Sequence, residues 1–496
     1  MLSFGSLSGP DKLGAVRRLL DKLTEDLKSA TLSLQERDAA LEELKVYGRD
    51  PSFADPIFTK DGIETLTKHA FESTSDSTSL NALRVLCNSL FLKSETRQIF
   101  VDLGYEPKAC ERLKNDSRDY EFLISRLILL TTYGTTINLP DLIEKHGLAA
   151  AIAQNLSRHA ARVSAQSVAA TTTDPMEEMA LAETLKLLFN VTNFAKDHVS
   201  FFDLALKHIA TILCNHALLQ TTKTPLDPPF GLLINALLNL DLTTPTAQSA
   251  LYPAAEPARI AGRLIQLLDL SMKAYTDSEL DQAVSPLMCV LSAVYKHAPV
   301  ASPGKGSGDG DGDARGFIRS KLLPTEEDRK SVLGKADTLP SRLLRNWSNP
   351  LAPQFRSAVA HLYFDMSDKN AAQFIENVGY GYASGFLFEN HIPVPEEAMG
   401  QDGKASSSSG GGSGGDRGPK RPVNPITGQF LDEERVVDLP EMTAEEKERE
   451  AERLFVLFER LKETGVMSVQ NPVEKAVQEG RFEELPDDDD LAEDLD

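Results

Sequence analysis

Tryptophan and cysteine are scarce in this chain, whose 496 residues include one tryptophan (Trp347) and four cysteines, Cys87, Cys110, Cys214 and Cys289. No two cysteines stand at zinc-site spacing, and their scatter does not suggest a disulfide framework. Three of the four lie inside apolar helical runs, so buried, reduced thiols are expected. Long apolar runs are missing as well. The longest, near Gly231–Leu240, is about ten residues and broken by asparagine, roughly half of what a bilayer crossing needs. The first residues lack the apolar stretch of a signal peptide, and a soluble, cytoplasmic chain is expected. A basic excess is also absent, for the formal net charge is −22, which removes the basic stripe that nucleic-acid binding requires. Between Leu431 and Asp496, 23 acidic residues face 8 basic ones, so that tail holds 15 of the excess negatives. An acidic chain of this kind favours encounters with basic protein partners.

Catalytic and metal signatures are equally thin. The nine histidines include no HExxH pattern. Asp309, Asp311 and Asp313 imitate the start of a calcium loop, but Ala314 stands where the turn glycine belongs and Ser320 where the bidentate glutamate belongs. Gly304-Lys305 and Gly334-Lys335 lack the flanking glycine and hydroxyl of a phosphate loop. Gly411–Gly415 matches a nucleophile elbow by letter only, inside a glycine linker. Cys214 and His216 are two apart, and on a helix such residues do not share a face. No catalytic residue, metal site or cofactor is assigned, and the expected role is binding rather than covalent chemistry.

What is present reads at helical period. Leu13, Val16, Leu20 and Leu23 are three to four apart, one face of an amphipathic helix. A recurring apolar core appears at 83–88, 123–130, 185–190 and 233–240, with weaker members at 285–295 and 355–364. Their separations of roughly 40 to 70 residues fit armadillo or HEAT units lengthened by insertions. Insertions are visible near 165–175, 221–229 and 301–316. The expected architecture is all-α: an armadillo/HEAT-like superhelix over residues 1–395, because no single unit can bury its apolar face alone. A flexible linker by composition occupies 396–423, a C-terminal helical arm 424–480, and an acidic disordered tail 481–496. Within the arm, Thr443 and Glu446 have capping-box spacing, and Leu454, Leu457, Phe458 and Leu461 form one apolar stripe.

Polar residues inside the apolar helices are the most informative feature. Arg84 and Asn88, Lys186 and Asn190, and Asn235 and Asn239 are each four apart, so each pair shares a helix face. Arg126 is also basic within an apolar run. Stacked together, such helices would present a ladder of amides and cations. An amide offers donor and acceptor at once, which suits a peptide backbone; the same asparagines could instead cap or bridge neighbouring repeats. Four net hydrogen bonds contribute roughly 2–6 kcal/mol, whereas nanomolar affinity needs about 12 kcal/mol. Apolar anchors and a second contact surface would have to supply the rest.

Asn424-Pro-Ile-Thr-Gly428, followed by Glu441–Glu450 and the stripe at Leu454–Leu461, resembles the C-terminal signature of the synembryn family, named for resistance to inhibitors of cholinesterase. Phe374–Phe386 resembles that family's Gly-Tyr-Gly segment, and the repeat cores fit in the same order, over roughly residues 60–475 in all. The resemblance implies a guanine nucleotide exchange factor and folding chaperone for heterotrimeric G-protein α subunits (Gα). It implies a Gα C-terminal helix held in the concave groove of the superhelix, with the C-terminal arm engaging the GTPase domain near its switch region. Matched by position, Arg84, Asn88, Arg126, Lys186, Asn190, Asn235 and Asn239 belong to the groove, and Phe455, Leu457, Phe458 and Leu461 to the arm. The partner is then a GDP-bound, nucleotide-free or nascent Gα, and the chain is expected to be a monomer that reaches the membrane only through Gα. One departure stands out: Ser406–Gly415 is serine-rich but holds no acid, unlike the acidic phosphoacceptor clusters of animal members. Thr325-Glu-Glu-Asp328 and Thr443-Ala-Glu-Glu446 do have suitable acids. Two alternatives remain at this stage. A receptor for basic localisation peptides would rely on repeated tryptophan–asparagine pairs, and Trp347 lies outside the asparagine helices. The other alternative is an armadillo-type peptide-binding scaffold or transport adaptor without exchange activity, which a nucleotide-release assay would separate from an exchange factor.

Overall fold

The computed structural model describes residues 7–165, 174–219, 221–299, 313–395 and 421–434, together with Thr443, Arg449 and Arg453. Two compact units divide the chain, Met1–Glu433 and Glu434–Asp496, and the first carries the architecture that follows. Among the described residues there are twenty-one α-helices and no strand, as expected of an all-α repeat protein. An isolated antiparallel bridge joins Val423 and Phe430.

The chain opens with α1 (Gly9–Ser29), α2 (Leu34–Tyr47), α3 (Lys60–Glu72) and α4 (Asp76–Leu92). Side-chain caps start several of them: Ser33 and Glu36 form a reciprocal box at α2, Thr59 accepts from Gly62 N–H at α3, and Ser75 from Thr78 N–H at α4. Each satisfies a donor that a helix start leaves unpaired. The short α5 (Glu95–Asp102) and α6 (Glu106–Arg112) lead to α7 (Arg118–Thr131), and α8 (Leu139–Glu144) to the longer α9 (Leu148–Ala165) and α10 (Pro175–Phe194). Next come α11 (Asp203–Asn215), α12 (Phe230–Asn239), α13 (Pro245–Leu251) and α14 (Arg259–Ala274). After α15 (Leu280–Ala283), α16 (Ser285–His297) and α17 (Ala314–Leu322) come α18 (Leu339–Arg345), α19 (Pro353–Met366), α20 (Ala371–Val378) and α21 (Tyr380–Glu389).

Two rows of neighbours emerge. One runs α2, α4, α7, α10, α12, α16, α19 and the other α6, α9, α11, α14, α17, each helix touching the one before and the one after. This is the nearest-neighbour stacking of a repeat array. It also explains why the core helices read as near-continuous apolar runs. In α7 Leu123, Ile124, Leu127 and Ile128 are buried, and in α10 Leu185, Leu187, Leu188 and Val191, so both helices are covered on more than one side. Cys87 and Cys110 are buried as expected and Cys214 partly so, but Cys289 is exposed. It faces outward on α16 because Leu287, Met288, Val290 and Leu291 turn into the core.

Several buried polar groups of the stack are paired across helices. His159 of α9 is buried between two carboxylates, its Nε2 2.8 Å from Glu121 of α7 and its Nδ1 2.6 Å from Glu177 of α10. Thr184 Oγ1 donates to Glu121 at 2.8 Å, and Arg162 donates to Glu177. Three helices are thereby tied through one imidazole. Burial would push the ring's pKa down, but its hydrogen bonds to Glu121 and Glu177 outweigh that and hold it above the ordinary value. Burial would likewise raise Glu177, yet His159 and Arg162 bring it down to about 2.

The far end of the first unit is closed by residues 421–433, which fold back as a clip. The N–H groups of Tyr380 and Gly381, in the first turn of α21, donate to the carbonyls of Pro425 (2.7 Å) and Ile426 (3.1 Å). Arg329 works from the other side. Its Nη1 donates to the Gly428 carbonyl (3.0 Å), and its Nη2 to the carbonyls of Glu376 (2.9 Å) and Asn377 (3.0 Å) near the end of α20. Phe430 N–H returns a bond to the Arg329 carbonyl at 2.8 Å. Gly428 has φ +69°, and a Cβ there would collide with Leu333, so turn and packing both require glycine. The segments Phe374–Phe386 and Asn424–Gly428, far apart in sequence, are thus one structural element. Asp313 also has a plain role: it caps α17, accepting from the N–H groups of Arg315 (2.6 Å) and Gly316 (3.1 Å). Asp309 and Asp311 lie outside the described residues.

Leu188→Ala, at the centre of α10, is expected to cost about 3 kcal/mol, read as a lower urea midpoint of the helical circular dichroism. The His159 contribution is complete below its unfolded pKa of about 6.5 and is lost as pH rises through the raised folded value. The stability gap between wild type and His159→Gln should therefore narrow as the pH rises above about 6.5. A gap independent of pH would show that the imidazolium form does not carry the network.

Candidate functional site

Four consecutive members of the first row carry the seven polar residues singled out in the sequence. Arg84 and Asn88 stand on α4, Arg126 on α7, Lys186 and Asn190 on α10, and Asn235 and Asn239 on α12, and these helices are successive neighbours. The fold therefore brings all seven onto adjoining helices.

Their side chains divide into two groups. Five are engaged with their surroundings, and four of those bonds cross to the next helix. Arg84 Nη2 donates to Asp119 of α7 at 2.8 Å. Arg126 Nη1 lies 3.4 Å from Glu183 of α10, and Lys186 Nζ donates to the same carboxylate at 3.0 Å. Asn190 Nδ2 donates to Thr132 Oγ1 at 2.9 Å, and Asn239 Nδ2 to the Phe189 carbonyl at 3.0 Å. Much of the row thus stitches the stack together, and its cations are already matched by Asp119 and the buried Glu183. Asn88 and Asn235 differ. Both are half-buried, and their side-chain amides have no hydrogen-bond partner among the described residues. Of the seven, they are the two whose donor–acceptor groups are open.

An aromatic edge accompanies the row, and sequence reasoning missed it. Phe91 follows Arg84 by seven residues, Tyr133 follows Arg126 by seven, and Phe194 follows Lys186 by eight, roughly two helical turns in each case. Phe91 and Phe194 stand at the C-terminal ends of α4 and α10 and Tyr133 two residues beyond the end of α7, and they remain 57%, 55% and 45% exposed. The Arg126 guanidinium lies 5.3 Å from the centroid of Phe91, a cation–π distance, and the rings of Tyr133 and Phe194 meet edge to face at 6.5 Å. The signal was available: an aromatic two turns beyond a polar residue shares its face, even when the surrounding run reads as core. Phe455, Leu457, Phe458 and Leu461 lie outside the described residues.

Among the described residues, no group of three or more His, Cys, Asp or Glu side chains could hold a metal ion, and no helix is long and apolar enough to cross a membrane. Thr325, one of the candidate phosphoacceptors, is bonded in place: its Oγ1 donates to Asp328 at 2.7 Å and accepts from Asp328 N–H at 3.3 Å.

Stacked helix pairs with a polar and aromatic face across consecutive members define a helical-repeat protein of the armadillo/HEAT class. Within that class the chain belongs to the Ric8 family, described as guanine nucleotide exchange factor synembryn, whose sequence profile matches residues 40–481. It is similar to the chaperone Ric-8A of Pongo abelii, 23% identical over 474 residues that span 91% of this chain and 86% of the relative. Ric-8A of Rattus norvegicus is 25% identical over 469 residues, 90% of this chain and 84% of the relative. A synembryn-like chaperone of Schizosaccharomyces pombe is 24% identical over 315 residues, 61% of this chain and 55% of that protein.

The two groups of asparagines separate in a stability measurement. Asn190→Ala breaks a buried inter-helix bond and is expected to cost about 1 kcal/mol, whereas Asn88→Ala should cost less than about 0.5 kcal/mol. Equal losses in urea titrations would contradict this division.

Proposed function

We propose that this chain binds the α subunit of heterotrimeric G proteins, acting as a non-receptor exchange factor and as a folding chaperone. Family membership and the similarity to named chaperones support the activity. The observation that carries the mechanism is the row α4, α7, α10 and α12, which carries two open amides and three exposed aromatic rings. In this reading the C-terminal helix of Gα lies in a groove formed by that face. Asn88 and Asn235 meet its polar groups, and Phe91, Tyr133 and Phe194 receive its apolar side chains.

Magnitudes indicate why one face is insufficient. Each ring is already about half covered, so completing its burial gives on the order of 1 kcal/mol, half the usual value for a large apolar side chain. Three rings and two amides then sum to roughly 4–6 kcal/mol before ordering costs. Nanomolar binding needs about 12 kcal/mol. A second contact is required, and the stripe at 454–461, with Phe455, Leu457, Phe458 and Leu461, is the segment we assign to it.

Exchange by this route breaks no covalent bond. A partner shifts an equilibrium only by its differential affinity for the two states, and inverting a 1:99 population takes about 5.5 kcal/mol. Holding the C-terminal helix of Gα away from its own core favours a form that grips nucleotide weakly. The same preference would shelter a nascent Gα, and GTP would drive release, since the coupling is reciprocal.

Release of a fluorescent GDP analogue from purified Gα tests the proposal. The chain should accelerate release in proportion to its concentration below saturation. Asn88→Ala combined with Asn235→Ala should weaken that effect about tenfold, at roughly 0.5–1.5 kcal/mol per amide, as should removing the last residues of Gα. Acceleration untouched by either change would eliminate this face as the groove, and no acceleration by folded protein would eliminate the exchange function.

A further inference from the structure

We propose that residues 421–433 are a latch that fixes the root of the C-terminal arm, making Arg329 and Gly428 positioning residues for exchange. This rests on the role assigned above to the stripe at 454–461. Among the described residues, no hydrogen bond, ion pair or ring contact is seen between the latch and the seven polar or three aromatic residues of the face. The latch binds instead at the α20–α21 junction, where its Pro425 and Ile426 carbonyls accept from the first-turn donors of α21, while the Arg329 side chain takes up the terminal carbonyls of α20 and reaches across to the Gly428 carbonyl. A helix start and a helix end both leave such groups unpaired, so the junction is a ready acceptor for a returning strand of chain.

Arg329 is the group that holds junction and clip together. Its guanidinium bridges the Gly428 carbonyl and the carbonyls of Glu376 and Asn377, and its own backbone carbonyl accepts from Phe430 N–H. Gln429 adds a second anchor, donating from Nε2 to the carbonyls of Lys330 and Glu433, each at 3.1 Å. Arg421 closes the clip on itself: it pairs with Asp432 and Glu433 and covers the ring of Phe430 at 4.2 Å from its centroid. The contacts thus gather at the last residues before Glu434, where the second unit begins.

A fixed root changes the arithmetic of the second contact. Along the chain, Leu454 lies 21 residues beyond Glu433, the end of the clip, and 59 residues beyond Pro395, the last residue described before it. Effective concentration falls with about the −3/2 power of tether length, so a threefold longer tether lowers it about fivefold. The residues of the face on α4, α7, α10 and α12 are not changed by it.

The test compares full-length wild type with Arg329→Ala and Gly428→Val. Three readouts are taken: the thermal midpoint, affinity for a peptide matching the Gα C-terminus, and GDP release against concentration. Peptide affinity should stay within about twofold, while the concentration for half-maximal GDP release rises about fivefold at an unchanged maximal rate. A protease site placed at 403–418 gives an independent reading. After cleavage the 421–496 piece should stay with the wild-type body and leave both variants. An unchanged half-maximal concentration, a parallel loss of peptide affinity, or retention of the piece by both variants would overturn the latch. If wild type releases no nucleotide at all, the exchange reading fails, and the cleavage experiment still decides whether the latch exists.

Discussion

The structure depends on one constraint: no helix of the array can cover its own apolar surface. α7 and α10 are apolar on more than one side because each is flanked by members of its own row and by the second row. Any polar group in such a helix loses water on several sides at once. A short hydroxyl can turn back to its own helix, as Thr131 and Thr192 do, but a longer polar side chain needs a partner on a neighbouring helix, since an unpaired buried donor or charge costs more than a made bond contributes. His159 between Glu121 and Glu177, Glu183 beneath Arg126 and Lys186, and Asn190 against Thr132 are all answers to that demand. Packing sets the problem, and the cross-helix bonds then fix the spacing of the rows.

That logic bears on the proposed groove. Residues that bridge helices are committed to the stack, and removing them perturbs the scaffold as well as any ligand. Asn88 and Asn235 sit in the same row without such commitments, so their amides can be turned outward at little cost to the fold. The exposed rings complete the arrangement. A polar row alone would bind water as readily as a peptide, whereas Phe91, Tyr133 and Phe194 retain apolar surface that a partner can cover. The pairing of Arg84 and Arg126 with carboxylates also keeps the face from being strongly cationic.

Much of this was legible in the residues. The 3.6-residue period and the recurring cores define an all-α array because burial of a helix face is a local pattern repeated many times. That Arg84 and Asn88, Lys186 and Asn190, and Asn235 and Asn239 each share a helix face followed from spacings of four. Which amides would be free was not legible, because Thr132 and the Phe189 carbonyl, the partners of Asn190 and Asn239, lie about 50 or more residues away in sequence. The aromatic edge was hidden for a related reason: Phe91 and Phe194 end apolar runs, and only the neighbouring helix shows that their faces stay open. The calcium-like Asp313 is a helix cap, a role set by the two N–H groups that follow it.

The clip has a consequence for the making of the protein itself. Most helix contacts in the array join segments close in sequence, so the repeats can assemble one after another as the chain emerges from the ribosome. The bond from Arg329 to Gly428 spans 99 residues, and the start of α21 has no closing partner until that stretch has been translated. The last repeat therefore waits with an unfinished end after its predecessors are complete. A protein proposed to attend other chains at birth has, at its own C-terminal end, a comparable interval of exposure.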